Sequence, residues 1–239
     1  PDSDNPTGTT MPESRRKKIF EIAASRGMLV VEDAAYREIQ FRGERVPPIK
    51  ALDKENRYVA YLRSTSKEVA VFRIGYAVLP PDVREQVVKA KGYLDLCTPT
   101  LMQRLAKMYY ERYFDEYILK VREEYRERYE AMAKAMDETF PDGVRTDPTG
   151  GFFIWWSHGD RRFDSKRFLE EVAIPNGVVY VPGAAFYPPF GYSYEPDSDG
   201  LRPLEPRLHG MRLGYSYMRP EEIYEGISKL GRLLSGWKP

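Results

Sequence analysis

Apolar residues recur along this chain with two different periods. Over residues 12–26 they fall on one helical face (Ile19, Phe20, Ala23), with Pro12 near the start and Gly27 as a stop, which predicts a helix. Met28-Leu29-Val30-Val31 is instead continuously apolar and ends at Glu32 and Asp33, which predicts a strand buried on both faces, as in a parallel sheet. Further strands are predicted over 58–62, ending at Arg63-Ser64-Thr65-Ser66-Lys67, and over 73–79. Strand and helix in alternation imply an α/β layer, and open α/β sheets place ligands at strand ends, where the polar residues collect here.

Pro80-Pro81 ends that pattern. Helices are predicted over 81–91, 100–113 and 115–139. In the last, Ile118, Val121, Tyr125, Met132 and Met136 recur at three- and four-residue spacing. That stripe is short and mixed with tyrosine, which favours packing across a small sheet over a coiled coil. After Pro141-Asp142-Gly143, strands are predicted over 152–156, 178–181 and 210–215, and helices over 164–174 and 220–234. The last helix has Pro220 and two glutamates in its first turn, with Ile223, Ile227, Leu230 and Leu234 inward. The intervening 183–209 stretch holds five prolines and reads as a long loop, a feature usually tied to function or mobility. The expected division is 1–95 as one α/β part, 96–140 as connecting helices and 141–239 as a small α+β domain.

Composition narrows the function classes. With 42% hydrophobic and 31% charged residues the chain is ordinary for a globular protein and unlike a disordered one. A formal net charge of +1 gives no broad electrostatic reason to expect nucleic acid or anionic lipid. No apolar run approaches the ~20 residues of a membrane span. Cys97 stands alone, so no intrachain disulfide or cysteine metal site forms, and a reducing cytoplasmic setting fits. His158 and His209 lack metal-ligand spacing, so no metal is expected. Arg15-Arg16-Lys17-Lys18 reads as a solvated helix face, Met102, Met108, Met132 and Met136 as core, and Trp155 and Trp156 as a strand pair with one in and one out. Pro1-Asp2-Ser3-Asp4-Asn5-Pro6 is unlike a signal peptide and reads as a chain that opens mid-structure.

Four features follow one another in order: Asn5-Pro6-Thr7-Gly8; Asp33-Ala34-Ala35-Tyr36; Ser64-Thr65-Ser66-Lys67 followed by Arg73-Ile74-Gly75-Tyr76; and Arg212-Leu213-Gly214-Tyr215-Ser216. Two lesser stretches join them, Gly150-Gly151-Phe152-Phe153-Ile154-Trp155 and Val181-Pro182-Gly183-Ala184-Ala185-Phe186. Each alone is weak. As an ordered set over essentially the whole chain they resemble the class I/II aminotransferases of pyridoxal-phosphate (PLP) fold type I.

The resemblance implies an α/β fold: part of a large domain with a mostly parallel sheet and helices, then a small α+β C-terminal domain. It implies PLP as cofactor, an amino acid and a 2-oxo acid as substrates, a homodimeric parent protein, and neither nucleic acid nor membrane as partner. Lys67 would carry the cofactor as a Schiff base and later shuttle a proton. Asp33 would face the pyridinium nitrogen. Tyr36 and Asn5 would donate to the ring oxygen. Ser64, Ser66 and Arg73 would hold the phosphate, and Arg212, with Asn5, the substrate carboxylate. The motif variant looks most like the branch handling 2-aminoadipate, aromatic and branched-chain substrates. Two alternatives share these residues: a non-catalytic PLP-sensing domain of a transcriptional regulator, and a PLP lyase. Between Lys67 and Arg73 the chain departs from the family, with Glu68-Val69-Ala70-Val71-Phe72 slightly short and lacking glycine. The family also has an N-terminal part ahead of the Asn-Pro turn, including a phosphate loop and a ring-stacking aromatic. A truncated chain is therefore expected, with an exposed sheet edge and weak or no PLP binding by itself.

Overall fold

A computed structural model describes residues 1–188, 190–195, 200–204 and 206–237. The chain forms two compact units. The first comprises Pro1–Asp4, Thr9–Arg126 and Thr149–Gly151, and the second Asn5–Gly8, Glu127–Pro148 and Phe152–Pro239.

In the first unit, α1 (Glu13–Arg26) begins after Pro12 and stops at Gly27, whose left-handed backbone (φ 63°) turns its N–H onto the carbonyls of Ala23 and Ala24. The sheet has the order β1 (Val30–Asp33), β2 (Val59–Ser64), β3 (Gly75–Val78). β1 runs parallel to β2, pairing Asp33 with Leu62. β3 is antiparallel to β2, pairing Ser64 with Gly75. The sheet here is thus mixed, with a single parallel pair among the described residues. β1 is not buried on both faces as its apolar run predicts. Val31 is 60% exposed and Met28 and Leu29 lie outside the strand and exposed. β1 is an edge strand packed on one face, and its inward residue is Glu32, whose carboxylate accepts the N–H groups of Ile49 and Lys50, both at 2.8 Å.

Three helices follow in α2 (Pro81–Leu94), α3 (Thr100–Arg112) and α4 (Phe114–Thr139). Tyr109 of α3 is buried among the rings of Phe72, Tyr110, Phe114 and Tyr117, at centroid distances of 5.1–5.9 Å. This cluster is one use of the high tyrosine content. Two expectations fail here. Met108 is 40% exposed rather than core, because α3 turns Ala106 and Tyr109 inward instead. Arg16 is buried, not solvated. Its guanidinium pairs with Asp2 at 2.7 Å and also donates to the carbonyls of Met11, Pro47 and Pro1, so every face of the charge is answered.

The second unit holds an antiparallel sheet of order β4 (Gly143–Arg145), β5 (Phe153–His158), β9 (Gly210–Gly214), β6 (Val181–Pro182). The strand expected over 178–181 shrinks to two residues. Within the stretch expected as a loop, β7 (Tyr192–Glu195) and β8 (Gly200–Pro203) pair as a hairpin. α5 (Ser165–Phe168) is capped by Asp164 and continues through a π turn (Leu169–Ala173) to a 3-10 turn that ends at Gly177. α6 (Pro220–Gly236) buries Ile223, Ile227, Leu230 and Leu234 as its periodicity predicts. It closes so tightly on the end of α4 that a Cβ at Gly231 would stand 2.2 Å from Thr139 Oγ1. Met132, Met136 and Trp156 are buried in this unit's core. Among the described residues no helix is long and apolar enough to cross a membrane.

Candidate active site

Parallel pairing of β1 with β2 puts the C-terminal ends of both strands at one edge of the first sheet, and antiparallel β3 begins at that same edge. Asp33, the last residue of β1, is exposed there, with Oδ1 accepting the Ala35 N–H at 3.1 Å. Tyr36 follows, at the start of a 3-10 turn (Arg37–Ile39). Ser64 ends β2 and caps the next 3-10 turn (Thr65–Lys67) by accepting the Ser66 N–H at 3.1 Å. Buried Thr65 pins that turn to the root of β3 through Ile74, with both its N–H and its hydroxyl donating to the Ile74 carbonyl at 2.9 Å. Lys67 Nζ then lies 5.3 Å from the centre of the Tyr36 ring. Arg73 donates through Nη1 to Ser66 Oγ at 2.9 Å. Asp33, Tyr36, Ser64, Ser66, Lys67 and Arg73, brought in by three strands, thus share one edge. The loop that lacks glycine is closed by Arg73 itself, which takes the left-handed conformation (φ 50°, ψ 38°) a glycine would ordinarily supply.

Beneath this edge lies a charged network to which the sequence reading assigned nothing. Arg63, one residue before Ser64, points inward from β2 and is 6% exposed. It donates to Glu38 Oε1 at 2.6 Å and pairs closely with Glu68. Tyr110 of α3 donates to the other Glu68 oxygen at 2.9 Å, and Arg122 of α4 donates to the Glu38 carbonyl at 2.7 Å. Arg45 also pairs with Glu38. Burial opposes ionisation of Glu38, but hydrogen bonds from Arg45 and Arg63 outweigh it and hold the carboxyl below the usual range. For Glu68 burial wins, and its carboxyl is pushed up. The available signal was an arginine at an inward position of a strand, which requires acidic partners nearby.

The second unit holds the other two expected residues together. Arg212 of β9 donates through Nη1 to Asn5 Oδ1 at 2.7 Å. Its guanidinium carbon sits 4.1 Å from the centre of the Phe153 ring and 5.1 Å from that of Phe186. Trp155, paired with Arg212 across the β5–β9 ladder, meets Phe186 edge-on at 5.5 Å. Its indole is fixed by Nε1 donating to Ser157 Oγ at 3.0 Å, and it lies over Gly210, where a Cβ would come within 2.3 Å of the ring. Phe153, Trp155 and Phe186 stand in the two lesser stretches of the sequence, which had no assigned role. Beside them is a cleft of about 440 Å³ whose lining includes Pro6, Trp155, Phe186 and Arg207. Among the described residues no group of three His, Cys, Asp or Glu side chains could hold a metal ion.

Comparison with known proteins agrees with these motifs. The aromatic-amino-acid aminotransferase 1 of Thermococcus litoralis is 40% identical over 98% of this chain and 52% of its own length. The 2-aminoadipate transaminase of Thermus thermophilus is 35% identical over 99% of this chain and 56% of its own. The crystal structure of a Pyrococcus horikoshii kynurenine aminotransferase superposes with a TM-score of 0.85 at 38% identity, over 98% of this chain and 55% of that one. The chain therefore spans about half the length of the relatives it matches. The profile of "Aminotransferase class I and II" matches residues 3–191, and with these relatives it establishes that the chain belongs to the class I and II aminotransferases.

Proposed function

We propose that the whole protein is a PLP-dependent aminotransferase that moves an amino group from an amino acid to a 2-oxo acid. The observation that carries the reading is the edge where the Lys67 amine stands by the Tyr36 ring, beside a carboxylate and an arginine–serine pair. These groups fit PLP: an amine for its aldehyde, a guanidinium with two hydroxyls for its phosphate, a carboxylate for its ring nitrogen and a phenol for its ring oxygen. When bound, PLP supplies an electron sink for the carbanion formed at the substrate α-carbon.

Lys67 holds the cofactor covalently in this reading. Once released, its amine carries the proton to and from the α-carbon. Asp33 keeps the ring nitrogen protonated. Tyr36 and Asn5 donate to the ring oxygen. Ser64, Ser66 and Arg73 anchor the phosphate. Arg212 binds the α-carboxylate, with Asn5 orienting one edge of its guanidinium. Residues 1–95 serve as the C-terminal part of the cofactor-binding domain and 141–239 as the small domain, joined by 96–140. The names of the relatives support aromatic amino acids and 2-aminoadipate as donors. We place the protein in the cytoplasm, where the exposed Cys97 stays reduced, as a homodimer without nucleic-acid or membrane partners.

The test is a visible spectrum of the whole protein with PLP, before and after borohydride, in wild type and Lys67→Ala. A band that borohydride fixes on Lys67, followed by amino transfer from phenylalanine or 2-aminoadipate to 2-oxoglutarate, is the expected result. A fixed band with no turnover of any donor would favour the sensing domain, and elimination without transfer the lyase. No band, or one unchanged in the variant, would sink the proposal.

A further inference from the structure

Arg63 and Glu68 bracket the stretch that ends at Lys67: one precedes Ser64 and the other follows the lysine. Strand alternation sends the Arg63 side chain to the face opposite Ser64, into the interior. There its fork meets Glu68 on one side and Glu38 on the other. Glu38 lies two residues beyond Tyr36. One buried guanidinium therefore joins the Lys67 turn to the Tyr36 segment, the two pieces of backbone that set the 5.3 Å approach of Nζ to the ring. The joint is itself anchored, since Tyr110 holds Glu68 from α3 and Arg122 holds the Glu38 backbone from α4. The side chains of Arg63 and Glu68 are 3% and 1% exposed, so water cannot substitute for either partner. Arg63 Nε is buried without a hydrogen-bond partner, a cost that the ion pairs at the other two nitrogens offset.

We infer that Arg63 is a positioning residue for Lys67: it fixes where the lysine amine stands relative to Tyr36, and so how completely that amine captures the PLP aldehyde. The inference rests on the proposed role of Lys67. Lysine has a flexible four-carbon stem, and its reach is defined only if the turn beneath it is fixed. An ångström of misplacement is enough to cost capture about tenfold or more.

The experiment uses the whole protein with PLP and the variants Arg63→Lys, Arg63→Met and Arg45→Met. The last removes a half-exposed partner of Glu38 that does not touch Glu68. Three quantities are read: the fraction of bound cofactor that borohydride fixes on Lys67, the visible circular dichroism per bound cofactor, and the melting temperature. Arg63→Lys keeps the charge but loses the two-sided fork, and it decides the matter should Arg63→Met fail to fold. The expected result is a fall of about tenfold or more in fixation with altered dichroism in the Arg63 variants, and near-wild-type values in Arg45→Met. Arg63 variants that only melt earlier, with fixation and dichroism unchanged, would overturn the inference alone. Absence of fixation on Lys67 in the wild type would overturn it together with the reading it rests on.

Discussion

The two clusters are held by opposite physics. In the first unit, the turn bearing Lys67 stands on buried ions: one arginine between two glutamates, with Tyr110, Arg45 and Arg122 around them. In the second unit, Arg212 stands against the rings of Phe153 and Phe186 and donates to the Asn5 amide oxygen. Buried ions stay in place only while their protonation states hold, and removing Arg63 would leave two glutamates without their buried cation. Rings carry no proton to lose, so the aromatic seat should be indifferent to pH and tolerant of another ring. The difference is one of failure mode: the ionic support fails with its one buried arginine, while the aromatic support weakens by degrees.

Substitutions at three positions of the whole protein test that contrast. The largest effect is expected from Arg212→Leu. It should lower kcat/KM for an amino acid about 100-fold, roughly the 3 kcal/mol of a charge-assisted carboxylate contact, and spare an amine that lacks the carboxylate. Equal losses on both substrates would assign Arg212 to the fold. Next, Phe186→Leu should raise KM roughly tenfold with kcat nearly constant, as the cation–π contact of about 1–2 kcal/mol is lost, and Phe186→Tyr should restore it. A KM effect that varied with pH would break the contrast. The smallest effect is the pH-dependent one. The Glu38 carboxyl sits below its ordinary range when folded, so its contribution is full above the unfolded value of about 4.3 and is lost as pH falls through the lower folded value. The melting-temperature gap between wild type and Glu38→Gln should therefore narrow as pH falls from 5 to 3. A gap independent of pH would remove Glu38 from the ionic account.

What the sequence disclosed follows the same line. Periodicity located α1, α4 and α6 well, because each buries one continuous stripe. Along β1 it gave no sign that the inward residue is a glutamate bound to backbone N–H groups. It also missed the β7–β8 hairpin, in which every residue of β8 is exposed and no buried face marks the strand. Each proposed site residue stood in a short motif, since a group that must meet a ligand is confined in type and spacing. The groups beneath them were invisible for the converse reason. Glu68 is only five residues from Arg63, but no motif marks the pair, and Glu38 and Tyr110 join it only when the Tyr36 segment and α3 converge on β2. Arg16 was misread in the same way: a basic run looks solvated until Asp2 and three carbonyls fold around one of its members.

Position 73 carries two duties on one residue. Its backbone completes a turn that has no glycine, and its guanidinium reaches Ser66. Glycine there would ease the backbone and delete the charge, whereas lysine would keep the charge, lose the planar fork and gain nothing for the turn. Neither duty can be improved by a single substitution without harm to the other. The duties would separate only if the left-handed position moved to a glycine elsewhere in the loop while arginine stayed within reach of Ser66. At this loop the backbone and the guanidinium constrain one and the same position, so a change made for either is felt by both.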